Sequence, residues 1–92
     1  PEFDKWMKNL KDLQSKVKIL IRIQKLESDE HFGDCKVISD GIRELKINFG
    51  KGYRVYFKLK NDKIIILLVG GDKSTQQKDI TKAKEIWEKL NN

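Results

Sequence analysis

Cationic side chains set beside aromatic ones are the groups with most chemistry to offer in this 92-residue chain. Arg54 and Tyr56 lie in Tyr53–Lys60, where Val55, Phe57 and Leu59 alternate with Arg54, Tyr56 and Lys58. A period of two marks a strand, so the second set shares one face. Ile42–Phe49 alternates in the same way, with Glu44, Lys46 and Asn48 opposite Leu45, Ile47 and Phe49. If Phe49 pairs with Tyr53 around Gly50-Lys51-Gly52, Asn48 faces Arg54, Lys46 faces Tyr56 and Glu44 faces Lys58. Pairing Lys60 with Lys63 across Asn61-Asp62 then sets Leu67 beside Tyr56 and Val69 beside Arg54, with Lys73 emerging at the rim. Arg54, Lys46 and Lys73 gathered around the Tyr56 ring are what holding a backbone phosphate next to a stacked base requires. The plainer account is the solvent side of a half-buried sheet. It covers Glu44, Asn48 and Lys58, and fits less well two large groups, Arg54 and Tyr56, on an inner strand.

Other site chemistries find little in the residue pattern. His31 is the single histidine and has no Cys, His or Asp at metal-ligand spacing, so no metal is expected. Cys35, the single cysteine, lacks a histidine at any nucleophile spacing and reads as a small buried thiol. Gly50-Lys51-Gly52-Tyr53 is neither of the glycine-rich phosphate loops, and a hairpin turn explains it. Asp29 and Glu30 fall in a polar loop that they solvate.

The elements that must position these groups follow from periodicity. Phe3, Trp6, Met7, Leu10 and Leu13 recur at steps of three and four and make one stripe on a first helix. The chain opens on Pro1 without methionine, so Pro1-Glu2-Phe3 reads as a vector remnant or as native sequence; Phe3 fits the helical period. A second helix from about Ser15 to Leu26 completes a helical hairpin, and Glu27–Asp34 forms a polar loop. Strands follow at Cys35–Ile38, Ile42–Phe49, Tyr53–Lys60 and Lys63–Val69. The unbroken run Ile64–Val69 is expected in the middle of the sheet, ended by Gly70-Gly71. Ser74 with Gln77 suggests a capping box for a last helix, whose buried stripe is Ile80, Ala83, Trp87 and Leu90. The fold class is α+β: a helical hairpin on a small antiparallel sheet of three to four strands, then a C-terminal helix, as one domain over residues 1–92.

Composition sets the boundaries. The 20 Lys and Arg outnumber 14 Asp and Glu, for a net charge of +6. Seventeen of those cations are lysines, which suits solubility as well as an anionic partner. The 38% apolar content is low for a globular domain, and no apolar run is long enough to span a bilayer. One cysteine points to a reducing, cytoplasmic setting.

The motifs Gly41-Ile-Arg-Glu-Leu-Lys-Ile47 and Gly52-Tyr-Arg-Val-Tyr-Phe57 resemble the RelE/HigB toxin superfamily, in particular its phage-derived "addiction module killer" branch. Further matching stretches are Glu2-Phe-Asp-Lys-Trp6, Arg22-Ile23, Phe32-Gly-Asp-Cys-Lys36, Leu68-Val-Gly-Gly-Asp-Lys73 and Gln77-Lys-Asp-Ile80, in order over the whole chain. Members usually begin with a short strand before the first helix, which is missing here. The resemblance implies the toxin of a type II toxin–antitoxin module, bacterial or phage-derived. Such a toxin cleaves mRNA in the ribosomal A site, contacts rRNA and is neutralised by a cognate antitoxin. The implied chemistry uses no metal and no small-molecule cofactor: the 2′-hydroxyl of the RNA attacks the adjacent phosphate, giving a 2′,3′-cyclic phosphate and a free 5′-hydroxyl.

By position, the resemblance gives Arg54 the scissile phosphate and Lys46 the part of phosphate clamp or general base, while Lys73 would stabilise charge or assist the leaving group. Tyr56 or Gln76 would position the nucleotide, with Asn48 and Lys58 completing the RNA contacts. Glu44 stands where some relatives carry a second lysine, and Ile80 near where some carry a catalytic tyrosine. The antitoxin would cover the basic sheet face with a helix or strand, or displace the terminal helix. Two other readings share the scaffold: a ParE-like inhibitor of DNA gyrase, and a degenerate relative that binds its antitoxin without toxicity.

Overall fold

The computed structural model describes residues 2–29, 35–61 and 63–90. Along the chain come α1 (Glu2–Asn9), α2 (Leu13–Asp29), β1 (Lys36–Ser39), β2 (Ile42–Ile47), β3 (Tyr53–Lys60) and β4 (Lys63–Gly71). A 3-10 turn (Lys73–Thr75) then leads into α3 (Gln76–Leu90). The strands pair antiparallel in the order β1-β2-β3-β4, so the architecture is the α+β arrangement read from the sequence.

The helical hairpin breaks where Asp12 can start a new helix. Its carboxylate accepts from the Gln14 amide at 3.0 Å and the Ser15 hydroxyl at 2.8 Å, which caps α2. These bonds favour the ionised carboxyl and hold it below its ordinary range. Phe3 is buried as expected, but Leu13 belongs to α2 rather than to the first stripe and is 72% exposed. The helix runs past Leu26 to Asp29, while His31 and its neighbours from 30 to 34 lie outside the described residues.

Hairpin chemistry decides the register. Asp40 and Gly41, with φ of 51° and 79°, make a two-residue turn that matches the strand twist and pairs Ser39 with Ile42. The β2–β3 loop is longer than a three-residue turn. The Phe49 amide bonds the Ile47 carbonyl at 2.9 Å, and the Gly52 amide the Phe49 carbonyl at 3.1 Å. Gly50 and Gly52 supply the left-handed conformations this path needs. The closing pair is therefore Ile47–Tyr53, not Phe49–Tyr53, and the register slides by two. Lys46 faces Arg54, Glu44 faces Tyr56 and Ile42 faces Lys58. A slip of two changes partners yet keeps every side chain on its face.

Three expectations about the C-terminal half are corrected. Among the described residues β4 is an edge strand rather than a central one, and it pairs through Gly70 and Gly71 instead of stopping before them. Irregularities between Tyr56/Phe57 and Lys58/Leu59 place Val69, not Leu67, beside Tyr56, and Gly71, not Val69, beside Arg54. The α3 cap is built by Asp72 and Thr75 on the 3-10 turn, not by Ser74 and Gln77.

The apolar run of β4 is explained by cover on both faces. Ile64 and Leu67 pack with Phe3, Ile19, Leu45, Val55 and Phe57 under α1 and α2. Leu68 and Val69 pack with Ile42, Tyr56 and Ala83 under α3, joined by Ile80, Ile86 and Trp87. Leu90, expected in that stripe, is 57% exposed. The two glycines admit neighbours that a side chain would exclude: a Cβ on Gly70 would lie 2.0 Å from the Trp6 ring, and one on Gly71 1.8 Å from Asp79 Oδ2. An ion pair of 3.0 Å from Lys82 of α3 to Glu2 of α1 spans the same edge and lowers the Glu2 carboxyl from its ordinary range.

Candidate functional site

Because side chains alternate along β2 and β3, the faces carrying Leu45, Ile47, Val55 and Phe57 leave Glu44, Lys46, Arg54 and Tyr56 together on the other side. α3 lies across the middle of that side, which buries Glu44 against the solvent-facing reading of that residue and leaves Lys46 and Asn48 exposed at the end. Tyr56 is fully buried and Glu44 and Arg54 nearly so, at 5% and 6% exposure. Glu44 is the hub. Its Oε2 accepts from the Tyr56 hydroxyl at 2.7 Å and from the Gln76 side-chain Nε2 at 3.0 Å, and lies 3.9 Å from Arg54 Nε. Arg54 Nη1 donates to the Gly52 carbonyl at 3.0 Å. Nε is buried without a hydrogen-bond partner, so Glu44 balances the guanidinium charge without satisfying that N–H.

This arrangement fixes Arg54 from below and behind. Burial first, then the bond to Glu44, pushes the Tyr56 phenol well above its ordinary value, leaving it a neutral donor. Its ring is enclosed between the sheet and α3, which corrects the expectation that it offers a face to a base. Gln76 likewise spends its amide on Glu44.

The rim is where the cations meet. Lys46 stands opposite Arg54 in the ladder and is exposed. Lys73 is exposed and reaches back to the hairpin loop, its amide bonding the Lys51 carbonyl at 3.4 Å. A methyl group on Gly52 would lie 3.6 Å from Lys73 Cβ and 3.8 Å from Arg54 Nη1, so both residues border this glycine. Asp72 shapes the turn that carries Lys73 by accepting from the Ser74 amide at 2.8 Å, and the Ser74 hydroxyl holds its carboxyl below the ordinary range. Arg54 is nearly buried here, with the exposed Lys46 and Lys73 on either side of it, so positive charge gathers at this end of the sheet.

Of the remaining expected contacts, Asn48 is exposed just past the end of β2, beside Lys46. Lys58 is not part of the cluster. Four residues along β3 from Arg54, it donates to the Asp40 carbonyl and lies over the Trp87 ring at 4.6 Å. Glu44 is the residue that sequence reasoning misplaced. The five-residue loop Asn48–Gly52, rather than a three-residue one, sets it against Tyr56. Among the described residues no three His, Cys, Asp or Glu side chains gather where a metal ion could be held, and no helix is long and apolar enough to cross a membrane.

Comparison with known proteins bears on this geometry. A family described as "Phage derived protein Gp49-like (DUF891)" matches residues 5–88. An uncharacterized protein of Haemophilus influenzae (strain ATCC 51907 / DSM 11121 / KW20 / Rd) is 52% identical over 88 residues, covering 96% of this chain and 88% of its own. No solved structure matches the chain. The family match includes every residue of the rim and of the network beneath it, and the protein belongs to the Gp49-like family of phage-derived proteins.

Proposed function

We propose that this chain is the toxin of a type II toxin–antitoxin pair and cleaves mRNA on the ribosome. One observation carries the reading: Arg54 is held at the sheet rim by the Glu44 network, opposite Lys46 and across Gly52 from Lys73. In this reading a 2′-oxygen forms a bond to the adjacent phosphorus while the bond from phosphorus to the 5′-oxygen breaks. The proton of the 2′-hydroxyl leaves to a base, and the departing 5′-oxygen gains one. Arg54 and Lys46 grip the non-bridging oxygens as negative charge builds, and Lys73 stands by the leaving oxygen. Fixing the guanidinium before substrate arrives is the contribution of Glu44, since reorganisation during the reaction is then avoided.

The partner in this reading is an acidic antitoxin acting in the same cytoplasm. With α3 over the sheet, the surface that suits it is the outer face of α2. There Leu13, Val17, Leu20 and Ile21 are 46–72% exposed, beside Lys18, Arg22 and Lys25. An amphipathic helix with an acidic flank matches both features.

Inducing the protein in bacteria and mapping transcript ends by primer extension tests the activity. The expectation is growth arrest with in-frame cuts that need ribosomes, and arrest lost in a folded Arg54→Ala variant. Intact transcripts with a DNA-damage response would instead indicate gyrase poisoning, and full toxicity of Arg54→Ala would remove the assigned site.

A further inference from the structure

A groove of about 500 Å³ runs between α2 and the loop end of β2. α2 contributes Lys18, Ile21 and Arg22, and the other wall is Lys46, Asn48 and Phe49. Its charged lining is wholly cationic. Among the described residues β1 pairs with β2 only as far as Glu44, so this wall has no strand on its side away from β3. Phe49 is half-buried, and Lys18 Nζ rests over its ring at 4.7 Å. Lys46 belongs to this groove and also stands opposite Arg54, so the groove and the rim share one cation.

We propose that this groove is a subsite for a nucleotide flanking the phosphate held at Arg54 in a single-stranded RNA. The inference rests on the RNA reading given above. Phe49 offers the base an aromatic surface, and a base stacked there frees Lys18 to pair with phosphate. Arg22, with its planar fork of donors, and Lys46 bracket the backbone on either side. Asn48 carries both a donor and an acceptor at the height of a base edge. An acidic helix laid along α2 pairs its carboxylates with Lys18 and Arg22 without needing the Phe49 ring or the Asn48 amide. A flanking nucleotide uses all of them, and the shared Lys46 makes its path continuous with the rim.

The test is an amide NMR titration of the full chain with single-stranded hexauridylate, at low and at moderate salt. Saturable shifts should centre on Lys18, Ile21, Arg22, Asn48 and Phe49. Replacing both outer cations, Lys18→Gln with Arg22→Gln, should weaken binding about tenfold and lower the salt dependence by roughly two counterions. Phe49→Ala should weaken it by about fivefold or more with the salt dependence unchanged. Phe49 touches the core, so thermal melts of that variant accompany the titration; the two charge substitutions lie at the surface and stand as the independent check. Shifts scattered over the lysines of α1 and α3 would overturn the proposal. So would shifts given by polyglutamate and not by hexauridylate, which would make the groove an acidic-peptide site.

The subsite and the nuclease reading fail separately. Saturable groove binding without transcript cleavage leaves the subsite and removes the nuclease. Cleavage and arrest undiminished in the double charge variant remove the subsite and leave the Arg54 rim.

Discussion

The two faces of the sheet are made by alternate residues of the same strands, yet they are built on opposite principles. Under α1 and α2, Leu45, Ile47, Val55 and Phe57 meet Phe3, Ile19, Ile23 and Leu26 in apolar packing. Under α3, the same ladder buries Glu44, Arg54 and Tyr56, with Gln76 closing the network. Apolar packing tolerates small errors in position, because dispersion and water exclusion have little direction. A buried ion pair costs desolvation and depends on geometry, and Arg54 Nε still lacks a hydrogen bond. The first face therefore stabilises by apolar packing alone, whereas the second sets a polar network beside its own apolar cluster of Ile42, Leu68, Val69 and Ala83. In that network the desolvation cost falls on Arg54 and Glu44, and under the proposed function it is the cost of holding one guanidinium in place.

Truncating the apolar face should show the largest effect on folding and the least on chemistry. Phe57 is 1% exposed at the centre of that face. Phe57→Ala should cost about 4 kcal/mol in urea unfolding, from lost transfer energy and the cavity left behind. Whatever folded protein remains should keep its arrest activity per molecule. A specific loss of activity in that folded fraction would break the division between the faces.

Glu44→Ala attacks the other face. It leaves the Arg54 charge buried without its counter-charge, together with two donors, the Tyr56 hydroxyl and the Gln76 amide, deprived of their acceptor. A cost of about 3 kcal/mol follows, with growth arrest lost even below the unfolding temperature, because the guanidinium is no longer held. Tyr56→Phe is the milder cut through the same network. The ring stays packed while one hydrogen bond to a carboxylate disappears, for about 1.5 kcal/mol by thermal or urea unfolding. Arrest should be weakened rather than abolished, since Glu44 retains Gln76 and Arg54.

The apolar face was legible in the sequence for a simple reason: alternation in β2 and β3 places Leu45, Ile47, Val55 and Phe57 together whatever the register. Lys46 and Arg54 could be assigned to one face on the same ground. The partners could not, because they depend on how many residues the Gly50–Gly52 loop takes from the strands, and on two irregularities in β4 that alternation does not encode. The burial of Glu44 was hidden for a further reason. A charged residue on a sheet reads as solvent-facing until a helix distant in sequence is known to cover it, and Gln76 lies 32 residues away. Gly70 and Gly71 misled similarly: their role is to admit Trp6 and Asp79, contacts visible only once α1 and α3 are in place.

The smallest expected effect lies where α3 begins. Asp79 is 8% exposed, and burial raises its carboxyl above the ordinary 3.8, against the opposing hydrogen bond from the Thr75 hydroxyl at 2.5 Å. A raised folded-state value means that the folded protein holds this proton more tightly than the unfolded chain does. The ionised form is thus a burden on the fold at neutral pH, and the burden is lifted as pH falls through the raised value toward the unfolded one. Asp72 titrates with the opposite sign, since the Ser74 hydroxyl lowers its value and its contribution is lost in acid. Asp79→Asn keeps an acceptor for Thr75 and removes the charge, so it should raise the thermal midpoint slightly at neutral pH. The gain should shrink as the buffer is taken down toward the carboxylate range. A gain that persisted unchanged into acid would mean that Asp79 acts through shape rather than charge, and that the desolvation cost on the α3 side is confined to the Arg54–Glu44 pair.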